Sequence, residues 1–302
     1  MHTKRISALL LTVLMLLPMT ACTSEEDQLA SKAIDISLEG PTATSEGDGV
    51  HIDGGQITIS SHGIYRISGT LAEGQILVDC ADAGEVWLLL DGANITCSTG
   101  ACIYVKQADL THISLEKDTV NTLTDGVGYI FDPGDDEPDG TLFARDDLVL
   151  QGEGSLVIDA NFKNAIAAKD DLTISGGTYD IVSVGHGIKG KDSLTITGGV
   201  ISVDAEGDGL KSTNAEGGSK GVINISGGVV DVFAGDEGMQ AISDITISGG
   251  VVHVDSQNNG LRSGTALNLT GGELNINAED TPIDAPAENR TGGILTIGGI
   301  AQ

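Results

Sequence analysis

The stretch Leu172-Thr173-Ile174-Ser175-Gly176-Gly177 alternates apolar and polar residues and ends in a glycine pair. The same pattern, complete or degenerate, begins again at Leu148, Leu194, Ile223, Ile245, Leu267 and Leu295. The recurring step is 22 residues, and two steps are six or seven residues longer because they contain polar insertions at 214–220 and 282–293. A fixed period of this length predicts an array of stacked structural repeats.

Each period holds three short extended segments, which in one copy are Leu172–Ile174, Thr178–Ser183 and Ile188-Lys189. Glycine-containing turns separate them, since glycine accepts a positive φ. Three strands and three turns in about 22 residues predict the coil of a single-stranded parallel β-helix, an all-β fold. A propeller blade needs about 40 residues, and a leucine-rich repeat needs a Leu and Asn pattern that this sequence lacks. Aromatic residues make up only 3% of the chain, which suits thin stacked β structure.

The regular coils are expected at 146–302 and less regular ones at 49–145, where Val86–Leu90 and Thr111–Leu115 are strand-like. Period-2 alternation assigns the two faces of each strand. The side chains predicted to point inward are Tyr179, Ile181, Ser183, Ile201, Val203, Ala205, Val230, Val232, Ala234, Val252, Val254 and Ser256. An outward ladder is predicted at Thr173, Thr195, Asn224, Thr246 and Asn268.

The N-terminus reads as an export signal. Lys4 and Arg5 precede a short apolar run, and Met19-Thr20-Ala21-Cys22 resembles a bacterial lipobox. We expect residues 1–21 to be a signal peptide, Cys22 to be lipidated, and 22–48 to be a flexible acidic tether. This predicts an exported protein, lipid-anchored on the outer face of the bacterial cytoplasmic membrane at the cell surface. A plain secretory signal is the alternative.

The formal net charge is −29, and no basic stripe is present. Nucleic acid and anionic lipid headgroups are therefore poor partners. Bound Ca²⁺ would compensate the charge, because it prefers carboxylate and carbonyl oxygens. A solvated acidic surface is the simpler explanation for most of the acidic residues. Cys97 and Cys102 could form a small loop disulfide, but with Cys80 they fit better as buried thiols.

One turn recurs before the third segment of each coil, and stacking places Asp208 beside both His186 and Glu237. Candidate calcium ligands at this edge are Asp204, Glu206, Asp208, Asp236 and Glu237. A second candidate is the acidic loop with Asp135, Asp136 and Glu137. The competing interpretation is that Asp-Gly and Asn-Gly pairs simply suit tight turns.

A column of cations follows the acidic turns. Lys189, Lys211 and Arg262 occupy equivalent positions in their coils and are candidate substrate-binding residues. Uronate-cleaving lyases combine Ca²⁺ with a basic residue that takes the α-proton, so this column permits a calcium-dependent lyase as an alternative. The simpler interpretation is that the cations neutralise the neighbouring carboxylates.

Several stretches resemble a family of bacterial surface lipoproteins with a carbohydrate-binding domain. They are Val86–Thr96 (VWLLLDGANIT), Ile103–Lys106, Asn121–Gly126, Asp146–Leu148 and Gly207–Ser212, and the resemblance spans roughly 50–297. It implies a right-handed parallel β-helix related to pectate lyases. It further implies Ca²⁺ binding and affinity for cellulose and acidic pectin-type chains, without known cleavage. Only Asp208 carries over as a metal position, because His186 and Asn164 stand where acidic turn residues are more usual.

The sequence therefore favours a non-catalytic, calcium-stabilised β-helix that binds plant cell-wall or other acidic polysaccharide at the cell surface. Pectin, polygalacturonate and cellulose are the candidate ligands. We expect no row of exposed rings, so an acidic chain bridged by Ca²⁺ fits better than flat crystalline cellulose. The alternatives are the pectate-lyase-like enzyme and a structural surface protein or adhesin.

Overall fold

The computed structural model describes residues 31–82, 84–131 and 133–301, and in these ranges the chain forms strands and turns with no α-helix. The predicted signal peptide and Cys22 lie outside the described residues. Within the described ranges no apolar helix is long enough to cross a membrane.

The first strands, up to the acidic loop, are β1 (Ile34–Gly40), β2 (Ala43–Thr44), β3 (Val50–Asp53), β4 (Gln56–Ile59), β5 (Gly63–Leu71), β6 (Gln75–Asp79), β7 (Glu85–Cys97), β8 (Ile103–Gln107), β9 (Leu110–Leu115) and β10 (Val120–Asp125). The next are β11 (Gly140–Ala144), β12 (Leu148–Gly152), β13 (Ser155–Ala160), β14 (Asn164–Ala168), β15 (Asp171–Ile174), β16 (Thr178–Ser183), β17 (Ile188–Gly190), β18 (Ser193–Ile196), β19 (Val200–Ala205) and β20 (Leu210–Ser212). The last are β21 (Val222–Ile225), β22 (Val229–Ala234), β23 (Met239–Ala241), β24 (Ile245–Ile247), β25 (Val251–Ser256), β26 (Leu261–Ser263), β27 (Ala266–Leu269), β28 (Glu273–Ala278), β29 (Ile283–Asp284), β30 (Ala287–Arg290), β31 (Ile294–Ile297) and β32 (Ile300–Ala301).

These strands form two long sheets. The larger sheet has 21 strands, and it takes the first and second strands of each regular coil, such as β15 and β16. The smaller sheet has 11 strands and takes the third, such as β17. Equivalent strands of successive coils pair in parallel: Leu172 lies beside Leu194, and Ile245 beside Leu267. The all-β, β-helix-like architecture expected from the repeat is therefore present.

The predicted faces are confirmed. All twelve side chains assigned inward are buried, from Ile201 at 0% exposure to Ala234 at 7%. The outward ladder is continuous, because Thr173, Thr195, Asn224, Thr246 and Asn268 are consecutive register partners. Like residues stack in rows because parallel strands in register place each side chain over its equivalent in the next coil. One apolar core therefore runs through the stacked coils.

The three cysteines inside the described ranges are buried and carry no disulfide. Burial raises the pKa of the Cys97 and Cys102 thiols, which keeps them protonated and unreactive. This agrees with the interpretation of these cysteines as small buried hydrophobes.

Two boundaries differ from the sequence-based prediction. Strand β1 starts at Ile34, inside the stretch predicted as a tether, and pairs in parallel with β5. Its side chains Ile36 and Leu38 enter the core, which supplies the apolar contact that a tether would lack. At the other end, the predicted loop 282–293 contains β29 and β30. Leu295 consequently lies beside Leu274, while Leu267 has Glu288 as its partner. The error arose because residues 287–290 are exposed and lack apolar alternation.

The bend between the first and second strands repeats one geometry. The second glycine of each pair has a positive φ, between 74° and 93°, at Gly177, Gly199, Gly228, Gly250, Gly272 and Gly293. Its carbonyl accepts a hydrogen bond from the residue after the next glycine pair, as in Val229 N to Gly199 O and Val251 N to Gly228 O, both 2.9 Å. A Cβ on Gly250 would lie 2.8 Å from the Gly228 oxygen. The bend thus admits only glycine, for reasons of both dihedral angle and space.

Gly250→Ala should destabilise the fold by more than the strain of a positive φ alone. That strain costs about 1 kcal/mol, and backbone overlap should add about 1–3 kcal/mol. Gly217→Ala is the matched control, since Gly217 has φ +78° with no atom within 4 Å of the added Cβ. Urea denaturation of both variants measures the difference. Equal losses of unfolding free energy in the two variants would contradict the close-packed bend.

Candidate functional site

A single row of residues runs along the outside of the smaller sheet. Strand register aligns Leu77, Tyr104, Phe143, Ala167, Lys189, Lys211, Gln240, Arg262 and Asp284. We call this the sheet row. Its first part is aromatic and apolar and lies against the segment that connects β10 with β11. Its second part is charged and includes the three predicted cations.

A group of three carboxylates stands beside the charged part of the row. Asp208, Asp236 and Glu237 each place an oxygen within 4.8 Å of the others. The Asp208 and Glu237 side chains are almost fully buried, and Asp236 is half-buried. Their turns are stacked by backbone hydrogen bonds, including Gly187 N to Asp208 O and Gly209 N to Glu237 O, both 3.0 Å. We call these residues the carboxylate trio.

Two cations of the sheet row hold members of the trio. The Lys211 ammonium binds Asp208 Oδ2, and Arg262 Nη1 lies 3.0 Å from Glu237 Oε1. Asp208 Oδ1 also accepts the backbone N–H of Glu237 at 3.1 Å. Within the described residues, the side-chain partner of Asp236 is an amide, Asn258 Nδ2 at 2.7 Å. Two cations against three carboxylates leave the trio with a residual negative charge.

His186 borders the trio as a neutral group. Its Nδ1 accepts the backbone N–H of Asp208 at 3.0 Å. Burial, and then the positive charges of Lys211 and Lys189, lower the pKa of His186 to about 4. Its Nδ1 also lies 3.5 Å from Asp208 Oδ2, but a neutral ring makes no ion pair there.

The structure separates the other two predicted ligands of this edge from the trio. Asp204 and Glu206 are exposed and line a shallow groove with Phe233 and Gln257. Asp204 lies on the outer face of β19 in the larger sheet, where its register partner is Phe233. Asp208 comes after the turn and faces the smaller sheet, so closeness in sequence does not bring these carboxylates together.

The acidic loop is tied to cations of the protein itself. Glu137 binds both Arg145, at 3.1 Å, and Lys169. Lys189 Nζ lies 3.1 Å from Asp139 Oδ2, which links the loop to the sheet row. Asp135 and Asp136 are exposed. Among the described residues of this loop, no three carboxylates come together as closely as the trio.

Sequence reasoning missed a cluster of rings on the first part of the sheet row. Tyr129 packs on Phe162 with ring centroids 4.4 Å apart, and Tyr104 packs on Phe143 at 5.7 Å. Phe131 lies 6.1 Å from Tyr129. A cleft of about 510 Å³ opens beside these rings, and Tyr104, Tyr129 and Phe131 line it. We call it the ring-lined cleft. The sequence did offer one signal, because Ile103-Tyr104-Val105 and Leu142-Phe143-Ala144 share the same pattern.

Asp125 fastens the loops that carry these rings. It is 4% exposed and accepts hydrogen bonds from the hydroxyls of Tyr129 at 2.5 Å and Thr141 at 2.8 Å. It also accepts the backbone N–H of Asn161, the residue before Phe162. Burial raises the pKa of Asp125. One carboxylate therefore holds both loop segments that carry rings of the cluster, residues 126–131 and 161–163.

The comparisons with known proteins agree with this architecture. Residues 53–299 match the family model described as carbohydrate-binding domain-containing protein, and the chain belongs to this family. A carbohydrate-binding domain-containing protein of Acetivibrio thermocellus is 41% identical over 135 residues, which are 44% of this chain and 47% of that protein. The aligned part thus spans less than half of that curated relative.

A solved structure extends the likeness over nearly the whole fold. It is described as the polysaccharide lyase-like protein from C. thermocellum, gadolinium derivative. It superposes with a TM-score of 0.73 at 32% sequence identity, and the match covers 89% of this chain and 98% of that one.

The tryptophan of the chain lies away from the ring-lined cleft. Trp87 stacks on His112 of the next coil, with ring centroids 3.8 Å apart and planes 7° apart. Both rings belong to the outer face of the larger sheet. Burial lowers the pKa of His112, although Glu85, 3.4 Å from its Nε2, acts in the opposite direction.

Acidification should therefore weaken the fold through His112. A lowered pKa means that the unfolded chain takes up a proton more readily, so the unfolding free energy should fall as pH drops below about 6.5. Trp87 emission, followed from pH 7 to pH 4, should change with a midpoint below that value. His112→Gln should remove this change, while His51→Gln, at an exposed histidine, should keep it. A midpoint at or above 6.5 would contradict the burial effect.

Lys211→Met should destabilise the protein strongly. It leaves the buried Asp208 without its cation, and breaking a buried pair on one side costs about 3–5 kcal/mol. The control is Lys117→Met, which breaks the exposed pair of Lys117 with Glu153 and should cost about 1 kcal/mol or less. Denaturant titration measures both. A loss for Lys211→Met no larger than the control loss would show that the trio does not depend on this cation.

Proposed function

We propose that this protein binds an acidic polysaccharide of the polygalacturonate type along the charged part of the sheet row. In this proposal calcium at the carboxylate trio bridges the protein to the sugar carboxylates, and the chain is held without cleavage. The observation that carries the proposal is the position of the trio directly beside Lys189, Lys211 and Arg262 on one face.

The donor set of the trio suits calcium. Asp208, Asp236 and Glu237 offer hard carboxylate oxygens close enough to share one ion. Lys211 and Arg262 already occupy part of this set, so an ion would compete with them. Asp236 is the carboxylate most open to an incoming ion, because it is half-buried and its side-chain hydrogen bond is with a neutral amide. When bound, calcium would supply positive charge for the carboxylates of the ligand.

The state of the cations supports binding rather than elimination. A lyase base must be free of its proton, and each candidate here is held in a charged pair: Lys189 with Asp139, Lys211 with Asp208, and Arg262 with Glu237. The hydrogen bond and charge of Glu237 raise the pKa of Arg262. His186, with its low pKa, is a weak base. These groups fit charge recognition better than proton abstraction.

The relatives support the same direction. Both the family description and the Acetivibrio thermocellus protein name carbohydrate binding. The structural neighbour is described as polysaccharide lyase-like, and it is a gadolinium derivative. Gadolinium, like calcium, is a hard cation that prefers oxygen ligands. These descriptions support a polysaccharide ligand and a fold compatible with a hard cation.

The proposal includes the finer features predicted from the sequence. These are a right-handed helix with about 22 residues per coil, export, and lipid attachment at Cys22 on the outer face of the membrane. A tether on a lipid anchor would hold the sheet row within reach of polysaccharide at the cell surface.

Polygalacturonate binding should require calcium and the trio. We expect immobilised polygalacturonate to retain the protein in millimolar CaCl₂ and to release it in EDTA, and CaCl₂ should raise the melting temperature, because an ion that binds the native state stabilises it. Asp236→Asn should raise the calcium concentration at which each effect is half-maximal by at least about tenfold. Asp255→Asn is the control: Asp255 is exposed and likewise accepts an amide bond, from Asn277.

Three outcomes would contradict the proposal. One is an equal effect of the two aspartate substitutions. Another is the same melting temperature in CaCl₂ and EDTA. The third is the release of unsaturated uronide, seen as rising ultraviolet absorbance with CaCl₂ and lost in Lys189→Ala, which would favour the lyase alternative.

A further inference from the structure

The ring-lined cleft lies outside the trio and at the other end of the sheet row. We propose that it is a second binding site, which takes the apolar face of an uncharged pyranose chain. This site needs neither calcium nor an acidic ligand, so it goes beyond the function proposed above.

The rings give the cleft its apolar wall. Tyr104, Tyr129 and Phe131 line it, and all three side chains are partly accessible. Phe143 and Phe162 pack behind them as support. Phe143 is fully buried, although it lies outside the coil core, in a small separate cluster with Ala101 and Ala167. Rings that are fixed from behind and open on one side offer an apolar surface at little entropic cost.

The charges of the cleft argue against an acidic sugar. Its two cations are already paired: Arg145 with Glu137 at 3.1 Å, and Lys106 with Asp79 at 2.7 Å. Arg145 also lies 5.8 Å from the centre of the Tyr104 ring. Glu73 and Asp135 add further negative charge to the lining. A uronate would meet repulsion here, whereas a neutral pyranose would not.

Polar groups at the edge of the cleft suit hydroxyls. Gln56 lines the cleft, and its Nε2 group is buried with no hydrogen-bond partner among the described residues. Across from it, Gln75 Nε2 donates to the Ala101 carbonyl at 2.7 Å. A buried amide donor without a partner costs free energy, and a ligand hydroxyl can supply the missing acceptor. Rings for the sugar face and an amide for its rim are the usual composition of a small-molecule site.

The cleft is also held in place by the protein. Asp125 binds the Tyr129 hydroxyl and the Asn161 backbone, and so fixes the loops on both sides of the ring cluster. Lys163 lies over the Phe131 and Phe162 rings, 5.7 and 5.3 Å from their centres. Asp125 is thus a positioning residue for the site, and the rings are the groups that touch the ligand.

Isothermal titration of the full chain tests the site with three probes in EDTA: cellohexaose, mannohexaose and hexagalacturonate. We expect at least one neutral hexasaccharide to bind and hexagalacturonate not to bind under these conditions. Phe131→Ala should weaken neutral binding about tenfold, since a ring contact contributes about 1 kcal/mol. Phe233→Ala is the matched control, because Phe233 is 53% exposed on the larger sheet. It should leave the affinity unchanged.

A second variant distinguishes loss of the binding site from loss of the fold. Tyr104→Ala removes a ring from a strand rather than from a loop, and both variants should retain the wild-type melting temperature within a few degrees. If Phe131→Ala or Tyr104→Ala unfolds the protein, Gln56→Leu tests the same site through its amide and should weaken neutral binding.

The outcomes separate this site from the proposed calcium function. If polygalacturonate binds with calcium but neither neutral probe binds, the cleft inference is overturned while the trio proposal stands. If neutral binding survives both ring substitutions, or falls equally in Phe233→Ala, the site is elsewhere and the inference fails. Neutral binding lost only in the cleft variants supports it, whatever polygalacturonate does.

Discussion

The glycine bend between the first and second strands of each coil is the constraint on which the rest of the structure depends. Its positive φ bends the chain between the two strands, and its carbonyl receives the 2.9 Å hydrogen bond of the next coil. Because the same bond recurs from Gly177 to Gly272, the second strand of each coil starts in register with the second strand of the coil before it. Inward rows, outward ladders and the sheet row all inherit this register.

Register also explains why buried charge is present at the trio. Stacking places the turn of Asp208 directly against that of Glu237, so two carboxylates enter a region with little water. Such a pair is unfavourable unless cations accompany it. Lys211, three residues after Asp208, provides one cation from the same coil, and Arg262 of the coil after Glu237 provides the other. The trio and the cations of the sheet row therefore form one electrostatic unit.

The burial pattern and the stacking of the turns could be predicted from the sequence, because they depend only on the repeat period and on the alternation of side chains along each strand. The burial of Tyr179 and Val203 follows from alternation, and the approach of Asp208 to Glu237 follows from stacking equivalent turns. Parity also explains a failure. Asp204 is only four residues from Asp208, but it lies on the outer face of a different sheet. The rings of Tyr129, Phe131 and Phe162 come from connections without a period, so their meeting depends on loop paths that no repeat specifies.

The insertion at 214–220 shows how freely the connections vary. Leu194 still lies beside Ile223 and Leu210 beside Met239, although this coil is seven residues longer than its neighbours. Loop closure costs grow slowly with length, while the strand bonds fix alignment. The stacked coils thus tolerate insertions in the connections between strands without a change in strand register. The connection from β10 to β11, which brings Tyr129 and Phe131 over the smaller sheet, is such a segment. A recognition surface on this fold can therefore change through a single connection between strands, while the apolar core stays the same.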